Sequence, residues 1–302
     1  MDDMKIQKPE VPIIIIERDE QPQPKEAVTK VVSPSPKRKW LKRCITVVAA
    51  FCCMILVVLG YRYWQYNYNI GVPVSVSPEQ NIEKLQKPIK KETSEIVITS
   101  DSILGVAMDF YAIHGLKASI QLEEPDTADT SVYLYTRSVD YTANGNYLGS
   151  LVVNGEEHQS DTHRLGYMAM VGNNSVIGIS RSEKVKDFVQ EHGGFFFRQF
   201  LLVSDGVIPG HFFLHGKVER RAIGRIDDQF YFIVTRHKET LWDFADALRE
   251  YGFIDAIYIT GGTDYTFYRD KNGTRHDIAN PADYPHTKWK EKVPWLVFRK
   301  ID

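Results

Sequence analysis

The chain has 302 residues, 43% of them hydrophobic and 25% charged, with a formal net charge of −2. This is ordinary globular composition, long enough for one large domain or two small ones. The near-neutral balance gives no global field that would gather nucleic acid or acidic polymers, so no nucleic-acid partner is expected.

Residues 1–43 are expected to form a cytoplasmic tail. Its first 36 residues are rich in Pro, Lys and Glu and read as disordered. One apolar patch, residues 11–16 (VPIIII), interrupts them, as a strand for a tail-binding partner or as a merely sticky segment. Residues 44–61 are almost wholly apolar (CITVVAAFCCMILVVLGY). At ~1.5 Å per residue, about 18 residues reach ~27 Å, close to the lower limit for crossing a bilayer. A transmembrane helix is therefore expected over 44–63. Lys37, Arg38, Lys39, Lys42 and Arg43 precede it, and Tyr61, Tyr63, Trp64, Tyr66 and Tyr68 follow. Basic residues on one flank and aromatic residues on the other predict a cytoplasmic N-terminus and an extracytoplasmic main domain. Cys44, Cys52 and Cys53 are the three cysteines, so the downstream domain has neither a disulfide nor a thiol nucleophile. Residues 64–93, with several prolines, lysines and glutamines, read as a stalk.

The folded domain is expected over 94–302. Strands are predicted over 95–99, 106–111, 117–122, 131–136 and 147–153, with Asn144-Gly145 and Asn154-Gly155 as turn signals. Residues 167–171 and 175–179 predict a hairpin around Gly172-Asn173-Asn174. Residues 182–191 predict a short helix with Val185, Phe188 and Val189 on one face, ended by Gly193-Gly194. Residues 195–203 read as a single apolar strand carrying Arg198 and Gln199. Arg220 and Arg221 then precede a small-residue turn, Ala222-Ile223-Gly224. A strand over 229–235 follows. Thr240 caps a helix over 241–251, whose apolar face is Leu241, Phe244, Ala245, Leu248 and Tyr251 and which Gly252 stops. Residues 256–259 form a buried strand running into Thr260-Gly261-Gly262-Thr263-Asp264. Strand, helix and strand in this order suggest a βαβ unit. Residues 277–286 are turn-rich, and residues 295–299 (WLVFR) end the chain as a strand. Many strands with few helices predict an α+β fold: a mixed β-sheet with packed helices, preceded by one transmembrane helix.

Four segments in this order resemble the phosphodiester glycosidase family, whose members include an enzyme that removes N-acetylglucosamine from a phosphodiester. The likeness runs over about residues 149–268 and is best after Arg198. Residues 198–206 (RQFLLVSDG) are similar to the family's Gln-containing strand and turn. Residues 220–224 (RRAIG) are similar to its Arg-Thr-Ala-Ile-Gly motif, and 241–248 to the helix after the next strand. Residues 255–262 (DAIYITGG) resemble its strand ending in Asp-Gly-Gly, with Thr260 where the family has Asp. The family's early Asn-Gly-Gly-aromatic motif has no clear counterpart, Asn144-Gly145 and Asn154-Gly155 both being loose candidates. The chain looks most like the short, membrane-anchored form of gut Bacteroidetes, which implies a periplasmic domain.

The resemblance implies hydrolysis of a sugar-1-phosphodiester in a phosphorylated glycan. Arg220 is the first functional candidate, because a guanidinium matches the planar oxygens of a phosphodiester and keeps its charge. A structural ion pair is the competing reading. Arg198 lies among Phe195, Phe196, Phe197 and Phe200, so it needs either a ligand or a partner carboxylate. Gln199, Thr260, Gly261 and Gly262 are the other expected substrate-binding residues. Glycosidic chemistry usually uses two carboxyl groups, and Asp264, with Glu219 or Asp205, is the candidate acid or base. His211 and His215 are too weakly patterned to predict a metal, and no cofactor follows. Thr260 in place of Asp keeps a second reading open: a binding or sensing module that holds an anionic glycan without cleaving it.

Overall fold

The computed structural model describes residues 36–68, 77–88, 92–141, 145–161, 164–210, 212, 216–262, 264–279 and 292–301. Helix α1 is Pro36–Tyr68 and helix α2 is Pro78–Leu85. Then come β1 (Glu95–Ile103), β2 (Val106–His114), β3 (Leu116–Gln121), β4 (Val132–Arg137), β5 (Leu151–Val153), β6 (Glu156–Gln159), β7 (Gly166–Val171) and β8 (Asn174–Ile179). They are followed by α3 (Lys184–Glu191), β9 (Phe195–Gln199), β10 (Leu201–Val203), β11 (Arg221–Ile226), β12 (Gln229–Thr235) and α4 (Leu241–Tyr251). The remaining strands are β13 (Asp255–Tyr258), β14 (Thr266–Arg269), β15 (Arg275–Ile278) and β16 (Trp295–Lys300).

Within α1, the 26 residues Lys39–Trp64 are long and apolar enough to cross a membrane. Residues 11–16 of the tail lie outside the described residues. In the segment read as a stalk, Ser77 caps α2, its hydroxyl accepting from the Gln80 amide. This helix packs on the domain. Leu85 enters a cluster with Val152, Tyr167, Val185 and Val189, and Asn81 donates to the Tyr167 hydroxyl at 2.6 Å.

The fold is α+β, as the sequence predicts, and the described residues form three sheets. The first runs β1-β2-β12-β11-β13-β10, the second β15-β14-β4-β16-β3, and the third β6-β5-β9-β7-β8. Neighbouring strands pair antiparallel. Because β12 and β13 both pair antiparallel with β11, they run in the same direction, and α4 makes the crossover between them. The expected βαβ unit is thus present with a strand inserted in its middle.

Side chains alternate along each strand, so each sheet serves two cores. Ile223, Phe232, Val234, Ile257 and Ile259 of the first sheet meet Leu134, Leu296 and Phe298 of the second and Met168, Met170 and Phe197 of the third in one shared core. The opposite face of the first sheet, including Ala222, Ile233, Ala256 and Tyr258, packs on Leu241, Phe244, Ala245 and Leu248 of α4. Thr240 caps α4, its hydroxyl accepting from the Asp243 amide, and Gly252 closes it in the left-handed region at φ 107°.

Three expectations need correction. Ala222-Ile223-Gly224 is the body of β11, not a turn. Small residues suit this strand because a Cβ on Gly224 would press into the Phe253 ring at 2.5 Å. The apolar run 195–203 is two strands, β9 in the third sheet and β10 in the first. At the break, Gln199 Oε1 accepts from the Phe200 amide at 3.0 Å, which occupies a backbone donor and lets the chain change sheets. Asp277 and Ile278, expected in a turn-rich stretch, instead belong to β15 and pair with β14, while residues 280–286 lie outside the described residues.

Candidate active site

The change of sheets at Phe200 brings three strand ends together. The Tyr258 amide donates to the Phe200 carbonyl at 2.9 Å, and the Ile259 amide to the Arg221 carbonyl at 3.1 Å. The start of β10, the start of β11 and the end of β13 therefore share one end of the first sheet, which forms the edge of the site. Thr260 Oγ1 approaches the Arg137 carbonyl at 3.4 Å, a long contact that sets the end of β4 beside the same edge. Arg164 stacks over the Phe200 ring at 3.8 Å, adding the segment that leads into β7.

The two adjacent arginines have opposite fates because strand neighbours point to opposite faces. Arg220 turns toward the α4 side, where its donors are engaged. Nε donates to the Glu239 carbonyl at 2.9 Å and Nη2 to the Gly216 carbonyl at 2.5 Å, and Nη1 reaches the Tyr258 hydroxyl at 3.5 Å. Arg221 is in phase with Ile223 and turns toward the shared core. It is 0% exposed, and Nε, Nη1 and Nη2 have no hydrogen-bond partner among the described residues. Burial depresses its pKa, while the charges of Asp264 and Glu219 act in the opposite sense. A cation of this kind without a hydrogen-bonded counter-ion costs several kcal/mol. Its donor geometry suits a flat or tetrahedral oxyanion.

Asp264 is 7% exposed and accepts from Arg137 Nη1 at 2.6 Å. A second carboxyl, Asp140, lies just beyond the end of β4. It is partly reachable by solvent, and no side-chain hydrogen bond holds it among the described residues. Burial pushes its pKa up to about 6, the charge of Asp264 pushes the same way, and Arg137, Arg164 and Arg220 oppose. The Tyr258 hydroxyl is pushed up to about 12, by burial first and by the charge of Asp140 next. Two carboxyls, a buried tyrosine and several guanidinium groups thus occupy one neighbourhood.

The glycine pair closes the edge. A Cβ at Gly261 would collide with the Tyr258 hydroxyl and lie 2.7 Å from the Glu219 carbonyl. Gly262 adopts φ 76°, and its amide donates to the Glu219 carbonyl at 2.8 Å. Gly261 therefore has no room for a side chain, and Gly262 takes a backbone conformation that favours glycine.

Of the residues singled out by sequence, Arg220, Asp264, Thr260, Gly261 and Gly262 come together here. Arg198 lies in a separate network: it pairs with Glu183 at 2.7 Å and donates to the Ser180 carbonyl at 2.8 Å. Gln199 is buried beside the sheet crossing, and its Nε2 has no partner among the described residues. Asp205 adopts φ 50° at a turn, where its amide meets Asp255. Asn144, His211, His215 and Thr263 lie outside the described residues. Among the described residues, no group of three or more His, Cys, Asp or Glu side chains is placed to hold a metal ion. Sequence reasoning missed the roles of Arg221, Arg137, Arg164 and Asp140. A signal existed for Arg221, which shares the phase of Ile223 in a strand-length segment. Asp140 follows a strand end and carries no periodic signal.

No family model and no curated protein matches the chain. Among solved structures, it is similar to the catalytic domain of zebrafish N-acetylglucosamine-1-phosphodiester alpha-N-acetylglucosaminidase, auto-inhibited by its pro-peptide. That similarity has 14% identity and a TM-score of 0.49, over 72% of this chain and 86% of that one. It is also similar to a hypothetical protein from Synechocystis, with 10% identity and a TM-score of 0.48, over 68% of this chain and 62% of that one.

Proposed function

We propose that the chain is a membrane-anchored, extracytoplasmic phosphodiester glycosidase-like protein that hydrolyses a sugar-1-phosphodiester bond in a glycan. The observation that carries this reading is the fully buried Arg221 guanidinium, whose three nitrogens have no hydrogen-bond partner among the described residues. A phosphodiester supplies the missing charge and acceptors. Asp140 and Asp264 meet the need of glycosidic chemistry for two carboxyl groups near the bond that breaks. Arg220, with its donors engaged, shapes the wall and adds positive potential. The motif resemblance over 198–262 supports the same substrate class. The basic residues at the N-terminal end of α1, before its apolar run 44–61, and the aromatic ones at its C-terminal end support a cytoplasmic N-terminus, and so a periplasmic domain in a Gram-negative cell.

The test is turnover of a panel of sugar-1-phosphodiesters by the full-length protein in detergent, with Arg221→Met as control. Turnover by the wild type and a loss of about 10²–10³-fold in the variant are expected, the range for removing one charge-stabilising donor group. Absence of turnover across the panel would sink the hydrolase reading. A second reading, an anionic-glycan-binding module, is favoured by Thr260, fully buried where the resembled motif has Asp. Arg221-dependent binding without turnover would select it.

A further inference from the structure

We propose that Asp140 is the base that takes a proton from the attacking water, while the phosphate leaves toward Arg221 and Asp264 stays fixed by Arg137. This assignment rests on the hydrolase reading and adds a residue that no motif in the sequence marks.

The division of labour follows from how each group is held. Asp264 is almost buried and tied to Arg137 at 2.6 Å, so it is a placed charge, suited to facing the positive charge that develops at the anomeric carbon. Asp140 has no such tie. Solvent reaches it, and its carboxylate carries no side-chain hydrogen bond among the described residues, so its lone pairs can face a water. The groups that set its charge are Asp264 at the glycine-turn end, Arg137 on β4, Arg164 before β7 and Arg220 before β11. Burial and Asp264 raise its basicity to a pKa of about 6, which leaves it ionised yet usefully basic at neutral pH.

The leaving group explains why a base is the greater need. A sugar-1-phosphodiester departs as a phosphomonoester, a stable anion, and Arg221 can receive its charge. In the step, a water oxygen forms a bond to the anomeric carbon while the bond from that carbon to the phosphate oxygen breaks. That bond's electron pair stays on the phosphate oxygen, and the water proton goes to Asp140. The products are a free sugar and a phosphomonoester. Direct displacement of this kind inverts the anomeric configuration.

The experiment uses the full-length protein, the single-anomer substrate that the wild type turns over best, and the variants Asp140→Asn and Asp140→Ala. Loss of about 10²–10⁴-fold in turnover is expected for both, the usual worth of a positioned base. Inorganic phosphate should bind Asp140→Asn at least as tightly as the wild type, which establishes that the variant is folded and its anion site intact. The wild-type rate should fall below about pH 6 as Asp140 becomes protonated, and in Asp140→Asn that limb should vanish from the residual rate. Azide, which needs no deprotonation, should restore turnover to Asp140→Ala and give a glycosyl azide of inverted configuration. Wild-type activity with Asp140→Asn within about twofold of it would overturn the role of Asp140 and leave the hydrolase reading standing. Retention of configuration would also overturn it, since the carboxylate would then be a nucleophile. Failure of the wild type on every substrate would overturn both.

Discussion

Arg198 and Arg221 are both fully buried, yet they are built for different ends. Arg198 meets a carboxylate at 2.7 Å and the carbonyls of Ser180, Leu165 and Arg164 at 2.8, 3.3 and 3.2 Å. Glu183 is shared with Lys186 at 3.0 Å, so the network stitches the start of α3 to β9. Arg221 has no hydrogen-bonded counterpart among the described residues and holds its charge in a buried setting. Replacing each by Met, which keeps the length of the stem, should therefore have opposite effects. Arg198→Met should cost roughly 2–4 kcal/mol, somewhat under the usual loss for breaking a buried pair, because Lys186 still covers Glu183. Arg221→Met should leave stability unchanged or raise it by about 1–4 kcal/mol. Thermal or urea unfolding of the two variants without ligand decides the matter. Equal losses would mean that Arg221 is a structural residue and that the anion site is misplaced.

At the level of elements, the site depends on how closely the end of β13 approaches the start of β11. Gly261 has no room for a Cβ between the Tyr258 hydroxyl and the Glu219 carbonyl. Gly261→Ala should cost about 1–3 kcal/mol, the range for overpacking. It should also lower turnover, because Tyr258 and Arg220 must move together. Gly262→Ala meets no atom within 4 Å but carries the strain of φ 76°. Its stability loss should be the smaller of the two, with the site left intact. Much of this element layer was legible in the sequence. The aromatic and β-branched run of 229–235, the cap and stop of α4, and the glycine pair after β13 all follow from local chemistry. What was not legible depends on partners far along the chain. The run 195–203 is continuously apolar, so nothing local marks the point where it leaves one sheet for another. Arg221 was visible as a charge but unassigned, since Ala222-Ile223-Gly224 read as a turn and a turn has no buried face. Asp140 gains meaning only through Asp264, which is distant in sequence. Ser77 and Pro78 carry a helix-start signal, but a proline-rich approach made the whole segment read as stalk.

The whole molecule joins a helix fit to cross a membrane to a domain whose site lies where three sheets meet. The shared core draws side chains from all three sheets, so the strand ends that carry Arg221, Asp264 and Arg137 are placed by one packed interior rather than by a single loop. Such a site should tolerate surface change and respond sharply to core change.

The membrane assignment has its own physical test. Lys39–Trp64 would extend about 39 Å as a helix, longer than the ~30 Å hydrocarbon layer, so it can cross with some tilt and place Lys39 and Trp64 near opposite interfaces. Side chains such as Val47, Phe51, Leu56 and Val57 are more than half exposed. A solvated helix with these groups exposed would be a strong liability to aggregation, whereas in lipid they are satisfied. The full-length protein should therefore stay with the membrane pellet through high-salt and alkaline carbonate washes and be released only by detergent. In spheroplasts, added protease should reach the domain that carries the proposed site while leaving an N-terminal tag protected, the orientation that the basic flank at Lys39, Lys42 and Arg43 favours. Release by salt would reduce α1 to a peripheral contact. Protection of the domain with digestion of the tag would reverse the topology, and with it the compartment of the proposed substrate.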